Sequence, residues 1–83
     1  MTESKYLFFS DVTPDGRATK IISVCSQHSG DRLAQIKWFG RWHQYCFYPE
    51  PGTIFNKGCL SDINDRIDTE MRLWRASKRA KVV

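Results

Sequence analysis

Between Ile36 and Pro49 the chain reads IKWFGRWHQYCFYP, seven aromatic residues in fourteen when His43 is counted, with Gly40-Arg41 between two ring-rich segments. Two ring-rich segments joined by Gly-X are the pattern of a β-hairpin closed by a two-residue type II′ loop, with glycine at the positive-φ position. This ribbon restricts the whole fold, because an apolar face of a hairpin must be covered by something. With Gly40-Arg41 as the loop, the cross-strand partners are Phe39 with Trp42, Trp38 with His43, Lys37 with Gln44, Ile36 with Tyr45, Gln35 with Cys46 and Ala34 with Phe47. Strand alternation then sorts the side chains onto two faces. Ala34, Ile36, Trp38, His43, Tyr45 and Phe47 share an almost wholly apolar side, which leaves His43 a half-buried sheet histidine beside Trp38. The other side holds Leu33, Gln35, Lys37, Phe39, Trp42, Gln44, Cys46 and Tyr48, where rings mix with a cation and two amides.

The cover is legible further on. After Asn56, an N-cap residue, apolar side chains at Leu60, Ile63, Ile67, Met71 and Trp74 recur every three or four positions and draw one stripe along a helix. Asp62 lies four before Arg66 and Asp68 four before Arg72, spacings that suit ion pairs on a solvated face, which also accounts for Asp65 and Glu70. Acid gathers near the start of the helix and base near its end, complementing the helix dipole. Upstream, Lys5 to Val12 and Ala18 to Ser26 are rich in β-formers and are separated by Thr13-Pro14-Asp15-Gly16. His28-Ser29-Gly30-Asp31 forms the next turn cluster. Pro49-Glu50-Pro51-Gly52 is expected to break pairing, since proline cannot donate to a ladder. The expected fold is α+β, a four-stranded antiparallel meander with one C-terminal helix packed on one face. Residues 1–78 read as a single domain and 79–83 as a basic frayed tail, the loss of helical order starting near Ala76.

At 83 residues there is room for one small core. The longest apolar runs fall far short of the ~20 residues of a membrane-spanning helix. Cys25, Cys46 and Cys59 are odd in number, and no basic start followed by an apolar run opens the chain. Reduced, small, buried thiols in a cytoplasmic protein are therefore expected. The net charge of +4 favours anionic partners without demanding one.

Chemistry is sparse. C-x2-H at Cys25 and His28 followed by H-x2-C at His43 and Cys46 has the count of a zinc site. An odd offset on one strand, however, points His43 and Cys46 to opposite faces, and no metal or other cofactor is expected. None of the phosphate-loop, serine-hydrolase or zinc-protease motifs occurs, and no nucleophile can be matched to a base, so an enzyme is not expected. Binding remains. Rings that stack on bases beside cations that hold phosphate characterise single-strand nucleic-acid surfaces, which singles out Lys37, Phe39, Arg41, Trp42 and Tyr48. Arg72, Arg75 and Arg79 lie along one helical face and offer backbone contacts. Both patches also have a purely structural explanation: cross-strand ring pairs that shield a small sheet, and a solvated helix end.

Ile36-Lys37-Trp38-Phe39 resembles the V-K-W-F-N opening of cold-shock domains, and Phe55-Asn56-Lys57-Gly58 is similar to their later K-G-F-G-F segment. The chain order differs and a C-terminal helix is foreign to that barrel, so the likeness implies no more than a stacking strand. A longer likeness covers Ile36 to Ile67, about two fifths of the chain. Its W-x-x-Y-x-F-x-P, G-T-x-F-N and C-L-x-D-I elements resemble small uncharacterised proteins encoded by bacteriophages and prophages. That resemblance implies a host bacterial cytoplasm and an accessory role in host takeover. The expectation is a non-enzymatic phage-type protein binding nucleic acid through the aromatic and basic sheet face and the basic helix end. The alternative is a protein-interaction module, an inhibitor or adaptor docking on a host nucleic-acid-handling or defence complex, with homodimerisation through the same patch as a variant.

Overall fold

A computed structural model describes residues 5–80, and the side chains of residues 5–78. Strands β1 (Leu7–Asp11), β2 (Ile21–Ser26), β3 (Arg32–Phe39) and β4 (Gln44–Pro49) form one antiparallel sheet in the order β1-β2-β3-β4, followed by helix α1 (Lys57–Ala80). The expected α+β meander is therefore the architecture. Gly16 and Gly30 take φ of 83° and 80° in the first two turns, a region that costs glycine little.

The third connection departs from expectation. Phe39 pairs with Gln44, Trp38 with Tyr45, Lys37 with Cys46 and Gln35 with Tyr48, so the loop is Gly40–His43, four residues instead of two. Trp42 N–H donates to Phe39 O at 3.1 Å and His43 N–H to Gly40 O at 3.3 Å. These stacked turns end with His43 at φ 52°, whereas Gly40 does not take the positive φ that a type II′ loop requires. The register moves by two. Because strand faces alternate with period two, every residue that stays in the ladder keeps its expected face. Trp42 and His43 leave the ladder, and His43 stands exposed in the loop, away from the inner face expected for it.

A second irregularity lies where the β2–β3 register shifts between Val24 and Cys25. Val24 pairs with Ala34 and Cys25 with Arg32, which leaves Leu33 without a counterpart. A bulge of this kind re-aims the extra side chain. Leu33, expected on the outer face, packs against the core.

That core joins Leu7, Ile22, Val24, Ala34, Ile36 and Tyr45 of the sheet to Cys59 and Ile63 of the helix. Leu7, Ile22, Val24 and Ile36 are less than 2%, or about 2%, exposed, and burial of each contributes about 1.5–3 kcal/mol. Trp38, Phe47, Ile67, Met71 and Trp74 close its sides. Leu60 is not in the stripe. It is 49% exposed, and Cys59, a turn below Ile63, takes the inward place. Asn56 caps the helix, its Oδ1 accepting from Cys59 N–H at 2.8 Å. The first turn itself holds no acid, and the carboxylates of the helix begin at Asp62. Helical structure extends through Ala80, past the Ala76 at which loss of helical order was expected to start; residues 81–83 lie outside the described residues.

Pro49 ends β4 in register with Ala34, and Glu50 N–H still donates to Leu33 O at 2.9 Å. Pairing survives the proline because β4 is an edge strand, where a missing N–H goes unneeded. The same edge is covered at its other end by Met71, whose Sδ accepts from Tyr45 N–H at 3.3 Å. No helix of the described residues is long and apolar enough to cross a membrane.

Candidate nucleic-acid interface

With α1 on the inner face, no element of the described residues lies across the outer face of β3 and β4. Lys37, Phe39 and Tyr48 rise half-buried from it. Arg41 and Trp42 stand exposed at the loop tip, Trp42 with 63% of its surface in solvent. Lys37 Nζ sits 4.7 Å from the centroid of the Tyr48 ring. The Phe39 and Trp42 rings meet edge to face at 4.9 Å and 80°. The longer loop produces this last contact, since Trp42 folds back on Phe39 instead of lying opposite it. Thus Lys37, Phe39, Trp42 and Tyr48 form two adjacent pairs on one surface, with Arg41 at its rim. The pairs are weak enough to be exchanged: an exposed cation–π contact contributes ~0.5–1 kcal/mol and a ring pair ~0.5–1.5 kcal/mol, against ~1–3 kcal/mol for stacking on a base.

Arg72 and Arg75 are exposed on α1, which packs on the inner face of the sheet. They are not part of the outer surface. Arg72 Nη2 donates to Thr69 Oγ1 at 3.2 Å and does not pair with Asp68 as its spacing suggested. Trp74 turns inward onto Trp38, ring centroids 4.6 Å apart, and Lys78 Nζ lies 5.5 Å from the Trp74 centroid. The side chain of Arg79 lies outside the described residues. The two sets of cations therefore flank opposite sides of the sheet and approach each other only at the hairpin end, where Trp38 and Tyr45 meet Trp74 and Met71.

Charge is segregated along the chain in a way its total conceals. The segments 33–49 and 71–83 contain seven cations (Lys37, Arg41, Arg72, Arg75, Lys78, Arg79 and Lys81) and no Asp or Glu. The rest of the chain has six cations and nine acids, so a net +4 divides into +7 and −3. The fold brings the two acid-free segments together. Among the described residues the ion pairs are Lys20–Glu70, Arg66–Glu70 and Arg32–Glu50, none of which draws on a cation from either segment.

Glu70 is the residue that periodicity hides. Expected on the solvated face, it is 2% exposed. Arg66 Nε donates to Oε2 at 3.0 Å, in place of the expected Asp62–Arg66 pair, while Lys20 Nζ lies 3.1 Å from Oε1 as an ion pair without a completed hydrogen bond. The Arg66 guanidinium also lies over the Phe9 ring at 5.4 Å. A carboxylate three residues after Ile67 and one before Met71 sits on the inward side of the stripe, and that is the signal that could have found it. Nearby, Thr13 donates its hydroxyl and its N–H to Asp11 Oδ1, and these hydrogen bonds hold the Asp11 carboxyl below the usual carboxylate range.

The C-x2-H and H-x2-C pairs stay apart. Cys25 and His28 lie at the β2–β3 end of β3, and His43 and Cys46 at the β3–β4 end. Among the described residues no three His, Cys, Asp or Glu side chains converge on a metal-sized site. Cys25 and Cys59 are buried free thiols, and Cys46 is half-buried on the outer face.

The chain matches no family model, no curated protein and no solved structure.

Proposed function

We propose that this chain is a non-enzymatic domain that binds single-stranded nucleic acid across the outer face of β3 and β4. Phe39, Trp42 and Tyr48 serve as stacking platforms, and Lys37 and Arg41 hold phosphate. One observation carries the reading: an acid-free hairpin presents three solvent-reaching rings and two cations on the sheet face that the helix leaves uncovered. Stacking needs unpaired bases, so single strands are the substrate class. In the phage-type setting implied by the Ile36–Ile67 resemblance, the protein is an accessory factor acting on nucleic acid in a host cytoplasm.

Fluorescence anisotropy with labelled single-stranded DNA and RNA, at low and at physiological salt, tests this. Affinity falls steeply as salt rises, Trp42→Ala weakens it by ~1–3 kcal/mol, and Lys37→Gln lowers the salt slope by ~1. A salt-independent signal, or a Trp42→Ala variant that binds as wild type does, sinks the reading.

A protein-docking reading has one observation of its own. Ile54 is 91% exposed and, with Tyr6 at 49%, borders an open concavity of about 510 Å³ floored by Leu7, Leu33, Phe55 and Cys59. Exposed apolar side chains around a hollow are a feature of partner surfaces. Under that reading the Ile54→Asp substitution abolishes capture of a host protein that persists after nuclease treatment, and Trp42→Ala leaves the capture intact.

A further inference from the structure

Lys37 and Tyr48 point away from the helix, whereas Arg72 and Arg75 sit on the helix itself, so the sheet stands between the two cationic surfaces. A single straight strand lying on the outer face cannot touch both. The two surfaces also differ in chemistry. The outer one carries rings and suits unpaired bases. On the helical one the Trp74 ring is turned inward and engaged by Trp38 and Lys78, so the arginines there are placed to meet phosphates. Phosphate contacts carry no base information and serve a paired strand as well as an unpaired one.

The last described turns of the helix are also open to a bulky ligand. α1 passes the hairpin end of the sheet at Met71 and Trp74 and continues for six residues, Arg75–Ala80, or about 9 Å of helix. Arg75 to Lys78 are all exposed. Between this overhang and the ring-bearing face lies the loop Gly40–His43, with Arg41 and the largely exposed Trp42 at its tip.

From this arrangement the geometry points to a junction between duplex and single strand as the preferred ligand. The inference rests on the proposed single-strand binding and adds the second arm to it. The unpaired arm stacks on Phe39 and Tyr48, and the Trp42 ring lies where the last base pair opens. The paired arm runs along Arg72, Arg75 and the acid-free end of α1. Charge complementarity favours this occupant, since neither segment contains a carboxylate, and Asp68, one turn before Arg72, sets the limit of the phosphate path along the helix.

The test compares three labelled oligonucleotides in fluorescence anisotropy at two salt concentrations: a single strand of roughly 12 nucleotides, a blunt duplex of about that length, and the same duplex with a tail of roughly 6 unpaired nucleotides. Joining the two arms makes the second contact intramolecular, so the tailed duplex binds at least about tenfold more tightly than either arm alone. In the Arg72→Glu/Arg75→Glu variant the ratio of tailed-duplex to single-strand affinity falls to about one. Circular dichroism of that variant confirms that its helix is intact, and Arg72→Lys/Arg75→Lys keeps the ratio. If the single strand binds but the tailed duplex binds no better, or if the glutamate variant keeps its preference, the junction is wrong and single-strand binding stands. If no oligonucleotide binds at low salt, the proposed function fails and the junction fails with it.

Discussion

Glu70 offers the sharpest test of how this small domain is held together. Its carboxylate is 2% exposed, and its two counter-cations are not buried to match: the Lys20 and Arg66 side chains are 42% and 28% exposed. This asymmetry orders the consequences of removing each side. Lys20→Met/Arg66→Met keeps the apolar stems but leaves a buried carboxylate without compensation, at a cost of ~3–5 kcal/mol. Glu70→Gln keeps the shape and releases two cations that water already reaches, so the loss is nearer ~1.5–3 kcal/mol, the worth of a charge-assisted hydrogen bond. Against a total stability of about 4–12 kcal/mol for a chain of this size, the first change removes a large fraction and the second is survivable. Adding Glu70→Gln to the double-methionine variant should recover stability, because it removes the stranded charge. Urea denaturation followed by tryptophan fluorescence measures all four proteins, and the cycle isolates the coupling. A double-methionine variant within ~1 kcal/mol of wild type, or a Glu70→Gln variant as unstable as it, would refute the argument that the cations hold this carboxylate.

The aromatic contact between sheet and helix sets the next expectation. Trp38→Ala or Trp74→Ala costs ~3–5 kcal/mol in thermal or urea melts, whereas Trp42→Ala changes stability by under ~1.5 kcal/mol, and the reverse order would mean that the two faces are exchanged. Asn56→Ala removes the cap on Cys59 N–H and costs ~1 kcal/mol, while Asn56→Asp retains it. Asp11, its pKa lowered by Thr13, contributes stability that is present above its unfolded pKa and is lost as pH falls through the folded value. Thr13→Val should therefore move the Asp11 titration upward in a carboxyl-detected NMR experiment, and its destabilisation should shrink in acid to the part that comes from the lost hydrogen bond between Ile21 N–H and Thr13 Oγ1. An unmoved titration would place the cause elsewhere.

The element order was legible because it depends on local chemistry: β-formers between turn clusters, an asparagine cap, a three-to-four period, and a period of two that holds residues to their faces even when the register moves. The candidate surface was legible for the same reason, as Lys37, Phe39 and Tyr48 follow from alternation alone. The rest depended on how the segments pair and pack. His43 rather than Gly40 takes the positive φ, Leu33 is turned inward by a bulge, and Glu70 is buried because Lys20, fifty positions away, arrives to neutralise it. Likewise, two acid-free runs are visible in the chain, but it takes the tertiary contacts of Trp38 with Trp74 and of Tyr45 with Met71 to gather them at one end. Periodicity is a property of neighbouring residues. Register, bulges, charge burial and the joining of remote surfaces are set by which segments pack together, and those contacts are decided in the folded chain.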